Sequence, residues 1–269
     1  MGLLLEELTR DEVRAIAADT LVILPVGATE QHGPHLPVGV DFYTVTHIAR
    51  AAAAPATSDI PVLVAPTLPF GSSHHHLPFG GTLSLSTETY YRVLVDLLES
   101  LIAGGFRRIF LLNGHGGNHE LIQLAARDMA LKHPVHVAAA SYWTIASNAL
   151  AEAQATPTTE LPGHSGAFET SLMLALRPEL VREPRPQRSD LPDFDVRSSA
   201  TYRAELHGAW QSIAGYTDSP DQARVEHGVR YLEVIVEEVA RAFVDFYRRA
   251  AAADQSNRVA SATAAQPAT

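Results

Sequence analysis

The amino-acid sequence predicts an α/β protein with a mostly parallel central sheet covered by helices on both faces. Three observations carry that prediction. Residues 20–26, 60–65, 108–112 and 135–140 form short runs that are apolar almost throughout. That is the pattern of strands buried on both faces, not of half-exposed antiparallel ones. Segments with helical spacing lie between the runs, and strands alternating with helices imply parallel crossovers.

The elements follow in order. Thr9 and Glu12 have the spacing of a capping box that opens the first helix. Residues 41–54 form the second helical segment. Ser86 caps a third, in which Tyr90, Val93, Leu94, Leu97, Leu98 and Leu101 recur at helical spacing until Gly104 and Gly105 stop it. A fourth runs from about residue 118 to 132. Ser219 and Pro220 read as N-cap and N1 of a long last helix with an apolar stripe of Val225, Leu232, Ile235, Val236, Val239, Phe243 and Phe246. Residues 184–195 are rich in Pro and Asp and read as a surface loop. No repeat or internal boundary is visible, so one domain is expected over residues 1–250. Residues 251–269 are mostly Ala, Ser, Thr and Gln and are expected to be a disordered tail.

Composition removes several classes of function. The formal net charge is -10 with His neutral, which argues against a nucleic-acid groove and against docking on anionic lipid. The chain has no cysteine, so disulfides, thiolate nucleophiles and Cys-ligated metals are excluded. Lys132 is the only lysine and sits near a helix end, which disfavours P-loop or Schiff-base chemistry. No apolar run approaches the ~20 residues of a membrane span. The first ten residues lack a basic region followed by an apolar core. A cytoplasmic protein is expected. His, Asp, Glu, Ser and Tyr remain for chemistry, and 13 histidines are a rich supply.

In open parallel sheets, function gathers where strands end. The first strand ends in Ala28-Thr29-Glu30-Gln31-His32-Gly33, with Asp41 following where a helix should start. Glu30 and His32, two apart, can share one face of an extended segment. The third strand ends in Asn113-Gly114-His115-Gly116-Gly117-Asn118. Imidazole nitrogens and carboxylate oxygens meeting at two strand ends suit zinc, manganese or iron(II). Taken singly, Glu30 and His32 in a loop are more often a solvated pair than a ligand set. A third segment, 163–171, contains His164 and Glu169. A carboxylate in the first turn of a helix explains Glu169 without any metal, and His164 alone reads as a turn histidine.

Together these segments resemble the creatininase (creatinine amidohydrolase) family. The resemblance lies in LPVGATEQHGPHLPVGVD, NGHGGN and GHSGAFETSLMLALRPELV, in that order, with HLPFGGTLSL between the first two. It implies a Rossmann-like, three-layer α/β/α fold with two divalent metal ions (Zn, Mn or Fe) at the C-terminal edge of the sheet. Glu30 and His115 would hold one metal and His32 the other, with Asp41 bridging. His164 matches the histidine that moves a proton to the leaving nitrogen. His76, Gly116 and Gly117 would contact the substrate. A homo-oligomer, in the family commonly a hexamer, is also implied.

One departure bears on substrate. Creatinine hydrolases carry Tyr-Glu after the motif histidine, and the glutamate is a metal ligand, whereas this chain has Gly116 and Gly117. The resemblance to the Asn-Gly-His-Gly-Gly-Asn branch makes Glu169 the replacement ligand. Residues 157–162 also lack the Trp that walls a creatinine pocket. The expected function is hydrolysis of a C–N bond in a small amide or cyclic amide by metal-activated water, formamide-type substrates included, with slow or absent turnover of creatinine. The alternatives are a peptidase of the mycofactocin-maturation type and a non-catalytic metal-binding scaffold.

Overall fold

The computed structural model describes residues 4–154, 162–188 and 206–264, the side chains of 258–264 excepted. Four parallel strands form its sheet: β1 (Leu21–Val26), β2 (Val62–Val64), β3 (Arg108–Asn113) and β4 (His136–Ser141), in the order β2-β1-β3-β4. Each coincides with a predicted apolar run to within two residues at either end. Helices α1 (Arg10–Ile16), α2 (Val40–Ala56), α3 (Thr87–Ala103) and α4 (His119–Lys132) precede or connect the strands. The short α5 (Tyr142–Ile145) and α6 (Ser147–Glu152) follow β4, then α7 (Ala167–Leu176), the short α8 (Ala209–Ser212) and the long α9 (Val225–Ala264).

The strands alternate their side chains between two apolar layers, as a strand must. Leu21, Ile23, Phe110 and Leu112 pack against α2, α5, α7 and α9. Val22, Leu24, Ile109 and Leu111 pack against α3 and α4, with α1 alongside. The fold is therefore the three-layer α/β/α arrangement. The predicted starts of α1 and α3 are present: Thr9 and Glu12 exchange both capping-box bonds, and the Ser86 hydroxyl accepts from the Thr89 amide.

Strand order positions the site. The chain leaves β1 through α2 to reach β2 on one side, then crosses back to place β3 on the other side of β1. The loops after β1 and β3 therefore diverge, opening a crevice over their C-terminal ends. Glu30 and His32 lie on the first of those loops, and His115 on the second.

Two expectations are corrected. Ser219 and Pro220 do not open the last helix. They start a 3-10 turn, Pro220–Gln222, with no side-chain cap, and the Ser219 hydroxyl bonds the backbone of Arg188 instead. Extended backbone at Ala223 (ψ 143°) then separates that turn from α9. The start of α9 is set by packing on α7, where a Cβ at Gly228 would fall 1.8 Å from the Ser171 carbonyl oxygen. Residues 251–264 continue α9 and are no structureless tail. The Ala-rich stretch has high helix propensity. Asp254 also ion-pairs with the buried Arg108 of β3 and accepts from His136 Nε2 of β4 at 2.9 Å. Residues 265–269 and most of the expected 184–195 loop lie outside the described residues.

Candidate metal centre

Glu30, His32, Asp41, His115, His164 and Glu169 all converge in the crevice, and all are buried. The β1 loop supplies Glu30 and His32, and the first turn of α2 supplies Asp41. The β3 loop supplies His115, and the first turn of α7 supplies Glu169.

Asp41 is central. Its Oδ1 is 3.2 Å from His32 Nε2 and its Oδ2 is 3.2 Å from His115 Nδ1. Glu30 Oε1 is 3.2 Å from the same His115 nitrogen, and Glu169 Oε2 is 3.7 Å from His32 Nε2. One carboxylate thus turns an oxygen to each of two histidines, and each histidine has a second carboxylate of its own.

The ring nitrogens that face away from the centre fix the tautomers. His32 Nδ1 is 3.1 Å from the Glu30 carbonyl oxygen, an acceptor only, so Nδ1 carries the proton. His115 Nε2 is 3.1 Å from the Ser72 carbonyl and from Ser73 Oγ, so Nε2 carries it there. Once neutral, both rings would present a lone pair inward, the outer-shell arrangement that metal-ligating histidines use. His32 Nε2 and Asp41 Oδ2 are fully buried at ion-pair distances yet lack hydrogen-bond geometry to any partner, and Glu30 Oε2 is likewise buried without a hydrogen bond. Buried polar atoms ordinarily have partners. Donors aimed at shared points rather than at one another are what cations would satisfy. The residues fit a divalent metal pair.

The electrostatics agree. Burial opposes protonation of His32, but Asp41, Glu169 and Glu30 outweigh it and carry its pKa up to about 10. His115 is likewise raised, with Glu30 and Asp41 overcoming burial. Burial opposes ionisation of Asp41, yet His32 and His115 hold it down at about 2. Burial raises Glu169 to about 7, with Asp41 and Glu30 adding to it against His32 and the Ser165 amide. Without cations, then, protons occupy the centre.

His164 stands beside these groups. Its Nδ1 is 3.7 Å from Glu30 Oε1, and its Nε2 is 3.0 Å from the Gln31 carbonyl oxygen, to which it donates. Burial and the neighbouring His76, His32 and His75 hold its pKa well below the usual imidazole range. His76 is also buried, taking a hydrogen bond at Nδ1 from the Gln31 amide at 2.9 Å, with Nε2 3.6 Å from Glu30 Oε1. The two glycines that follow His115 differ. A Cβ at Gly116 would meet nothing within 4 Å, whereas one at Gly117 would fall 2.2 Å from the Ser72 carbonyl oxygen. Only Gly116 borders open space.

Sequence reasoning missed Gln31 and Trp210 and gave His75 no role of its own. The Gln31 side chain ties His76, the Gly215 carbonyl and the Gly33 amide together. Trp210, on α8, lies with its ring centroid 4.8 Å from that of His76, 5.5 Å from His164 and 5.3 Å from His75. The aromatic wall sought in residues 157–162, nearly all of them outside the described residues, is thus supplied from a distant segment. Only the His74–His76 run carried a local signal, by its composition. His35, which follows His32 on the β1 loop, is buried and bonded through Nε2 to Thr170 Oγ1 at 2.8 Å.

Fold and site together define an α/β protein with a carboxylate–imidazole centre at the switch point of a parallel sheet. The creatininase family model, described as creatinine amidohydrolase, matches residues 6–243. The chain belongs to the creatininase family. It is 33% identical to the creatinine amidohydrolase of Pseudomonas putida over 86% of this chain and 91% of that one. It is 31% identical to a mycofactocin precursor peptide peptidase of Mycobacterium tuberculosis (strain CDC 1551 / Oshkosh), covering 82% and 83%. A solved structure titled "Creatininase Mn" superposes with a TM-score of 0.76 at 31% identity, covering 92% of this chain and 99% of that one. Among the described residues, no helix is long and apolar enough to cross a membrane.

Proposed function

We propose that the chain is a two-metal amidohydrolase that cleaves the C–N bond of a small open-chain or cyclic amide. The observation that carries this reading is the pair of 3.2 Å approaches by which Asp41 faces His32 with one oxygen and His115 with the other. Glu30 and His115 would hold one cation, His32 and Glu169 the second, and Asp41 would bridge them. Zinc, manganese and iron all suit such donors. A bound pair supplies a water ionised near neutral pH and a Lewis acid for the carbonyl.

The chain's own residues do the rest. His164, neutral because of its burial, accepts the proton of the attacking water at Nδ1 and returns it to the departing nitrogen. Water adds to the carbonyl carbon and the C–N bond breaks, giving acid and amine from an open-chain amide, or one ring-opened amino acid from a cyclic one. An amide nitrogen is a poor leaving group until protonated, so this transfer is required. The carbonyl of Gln31 fixes the tautomer of His164 by accepting from Nε2. Trp210 closes the side of His164 and His76 against water.

A second reading, trimming of a short peptide by the same centre, is favoured by the exposed Val38, Leu77 and Leu83 on the loops that frame the site. These side chains also suit the homo-oligomer expected of the sequence, with a second copy covering them. A panel of formamides, open-chain amides, cyclic amides and short peptides, assayed with reconstituted protein, tests the proposal. Release of amine from the small amides supports it, and release from peptides alone establishes the second reading. No turnover on the whole panel, with metals bound, leaves a non-catalytic scaffold.

A further inference from the structure

The centre contains one histidine that no motif assigns. We propose that His75 is a sixth protein ligand, donating to the cation held by Glu30 and His115. This rests on the two-metal reading above and adds to it.

The geometry is direct. Ligand-capable atoms of Glu30, His75 and His115 all lie within 4.8 Å of one another. The His75 and His115 rings are nearly parallel, 5° apart, with centroids at 6.0 Å. His74 is exposed and bonded through Nδ1 to Ser84 Oγ at 2.9 Å. His76 turns its Nδ1 to Gln31.

The β3 loop explains why His75 reaches the centre. With no side chain at Gly117, the segment that begins at Ser72 closes over His115, placing the Ser72 carbonyl and Ser73 Oγ each 3.1 Å from His115 Nε2. The position a Cβ of residue 117 would take is 2.6 Å from His115 Nε2 and 3.3 Å from His75 Cε1. His75 thus stands in tight contact with the position that a side chain at 117 would start from. The loss of a carboxylate at 117 is compensated twice: by Glu169 on the His32 side and by His75 on the His115 side.

The ligand chemistry has a consequence. Glu30, Asp41 and Glu169 already place three carboxylates around two dications. A neutral imidazole would add a ligand to the Glu30–His115 cation without adding charge. Imidazole suits zinc and iron, whereas carboxylate and water suit manganese. His75 therefore biases the Glu30–His115 site toward zinc or iron.

Metal-free full-length protein titrated calorimetrically with zinc alone, and separately with manganese alone, tests this. Wild type, His75→Ala, His75→Gln and His74→Ala would be compared, with far-UV circular dichroism to verify folding and cobalt absorption as a coordination readout. Loss of an outer-shell partner costs about 10–100-fold in affinity. Loss of a ligand should therefore weaken one of two zinc sites by more than ~100-fold, leave the other unchanged, narrow the zinc–manganese difference and alter the cobalt spectrum. His74→Ala should match wild type. Two wild-type zinc affinities and an unchanged cobalt spectrum in both His75 variants would overturn the proposal while leaving the centre intact. So would equal weakening of both sites, which marks a loop-support role. A wild type that binds no metal would instead remove the underlying two-metal reading.

Discussion

Asp41 Oδ2 lies 3.2 Å from Nδ1 of His115, a residue that arrives from a different strand end, while its other oxygen faces His32. In the metal-free protein that network is held by protons. His32 at about 10 and the raised His115 carry them at neutral pH, and Glu169 at about 7 is partly protonated. Ligands must lose those protons to bind a cation. Metal uptake should therefore release protons, and apparent affinity should rise with pH through about 7 toward about 10. Calorimetry in buffers of different ionisation enthalpy measures both. An affinity independent of pH would mean that the histidines are already neutral, against this reading of the site.

Glu169 has two roles to choose between. As a ligand it should cost about one metal per chain when changed to Gln, measured by elemental analysis after reconstitution. As a carboxylate at a helix N-terminus it should cost only ~0.3–1 kcal/mol of stability and no metal. Its 3.7 Å approach to His32 and its convergence with Asp41 favour the first outcome.

His164→Asn should keep both metals and lower kcat by about 10²–10⁴-fold, the usual worth of general acid–base catalysis. The atoms of Glu30, His32 and His164 are nevertheless close enough to share an ion. Metal loss in the variant would make His164 a ligand, and an unchanged rate would leave it a buried turn histidine.

Creatinine should be turned over far more slowly than an open-chain amide or formamide. Gly117 leaves no room for a ligand side chain, since any Cβ there meets Ser72, and the aromatic wall comes from Trp210 instead. Steady-state rates on the two substrate types decide the point. A creatinine kcat within the ordinary ~1–10³ per second would refute the inference from the two glycines.

Much of this was legible in the sequence, for physical reasons. Buried parallel strands advertise themselves as unbroken apolar runs, and glycines beside histidine at strand ends mark backbone approach to a site. Those signals singled out Glu30, His32 and His115, which the fold brings together. The sequence could suggest Glu169 only through resemblance, because its position at a helix start has a complete local explanation. Trp210 was invisible because its contacts with His76 and His164 are tertiary, made by a four-residue helix with no periodic signal. Asp254 was misread for a related reason. Composition around it suggests disorder, while its partners Arg108 and His136 lie at the starts of β3 and β4, over a hundred residues earlier.

The central claim is that five side chains from three parts of the chain form one centre for two cations. The most direct test is the metal content of purified full-length protein, stripped and then reconstituted with zinc, manganese or iron, against Asp41→Asn treated identically. The account predicts about two equivalents per chain in the wild type and loss of both in the variant, since Asp41 serves both histidines. A wild type that binds none of these ions, or an Asp41→Asn protein that binds two, would contradict it.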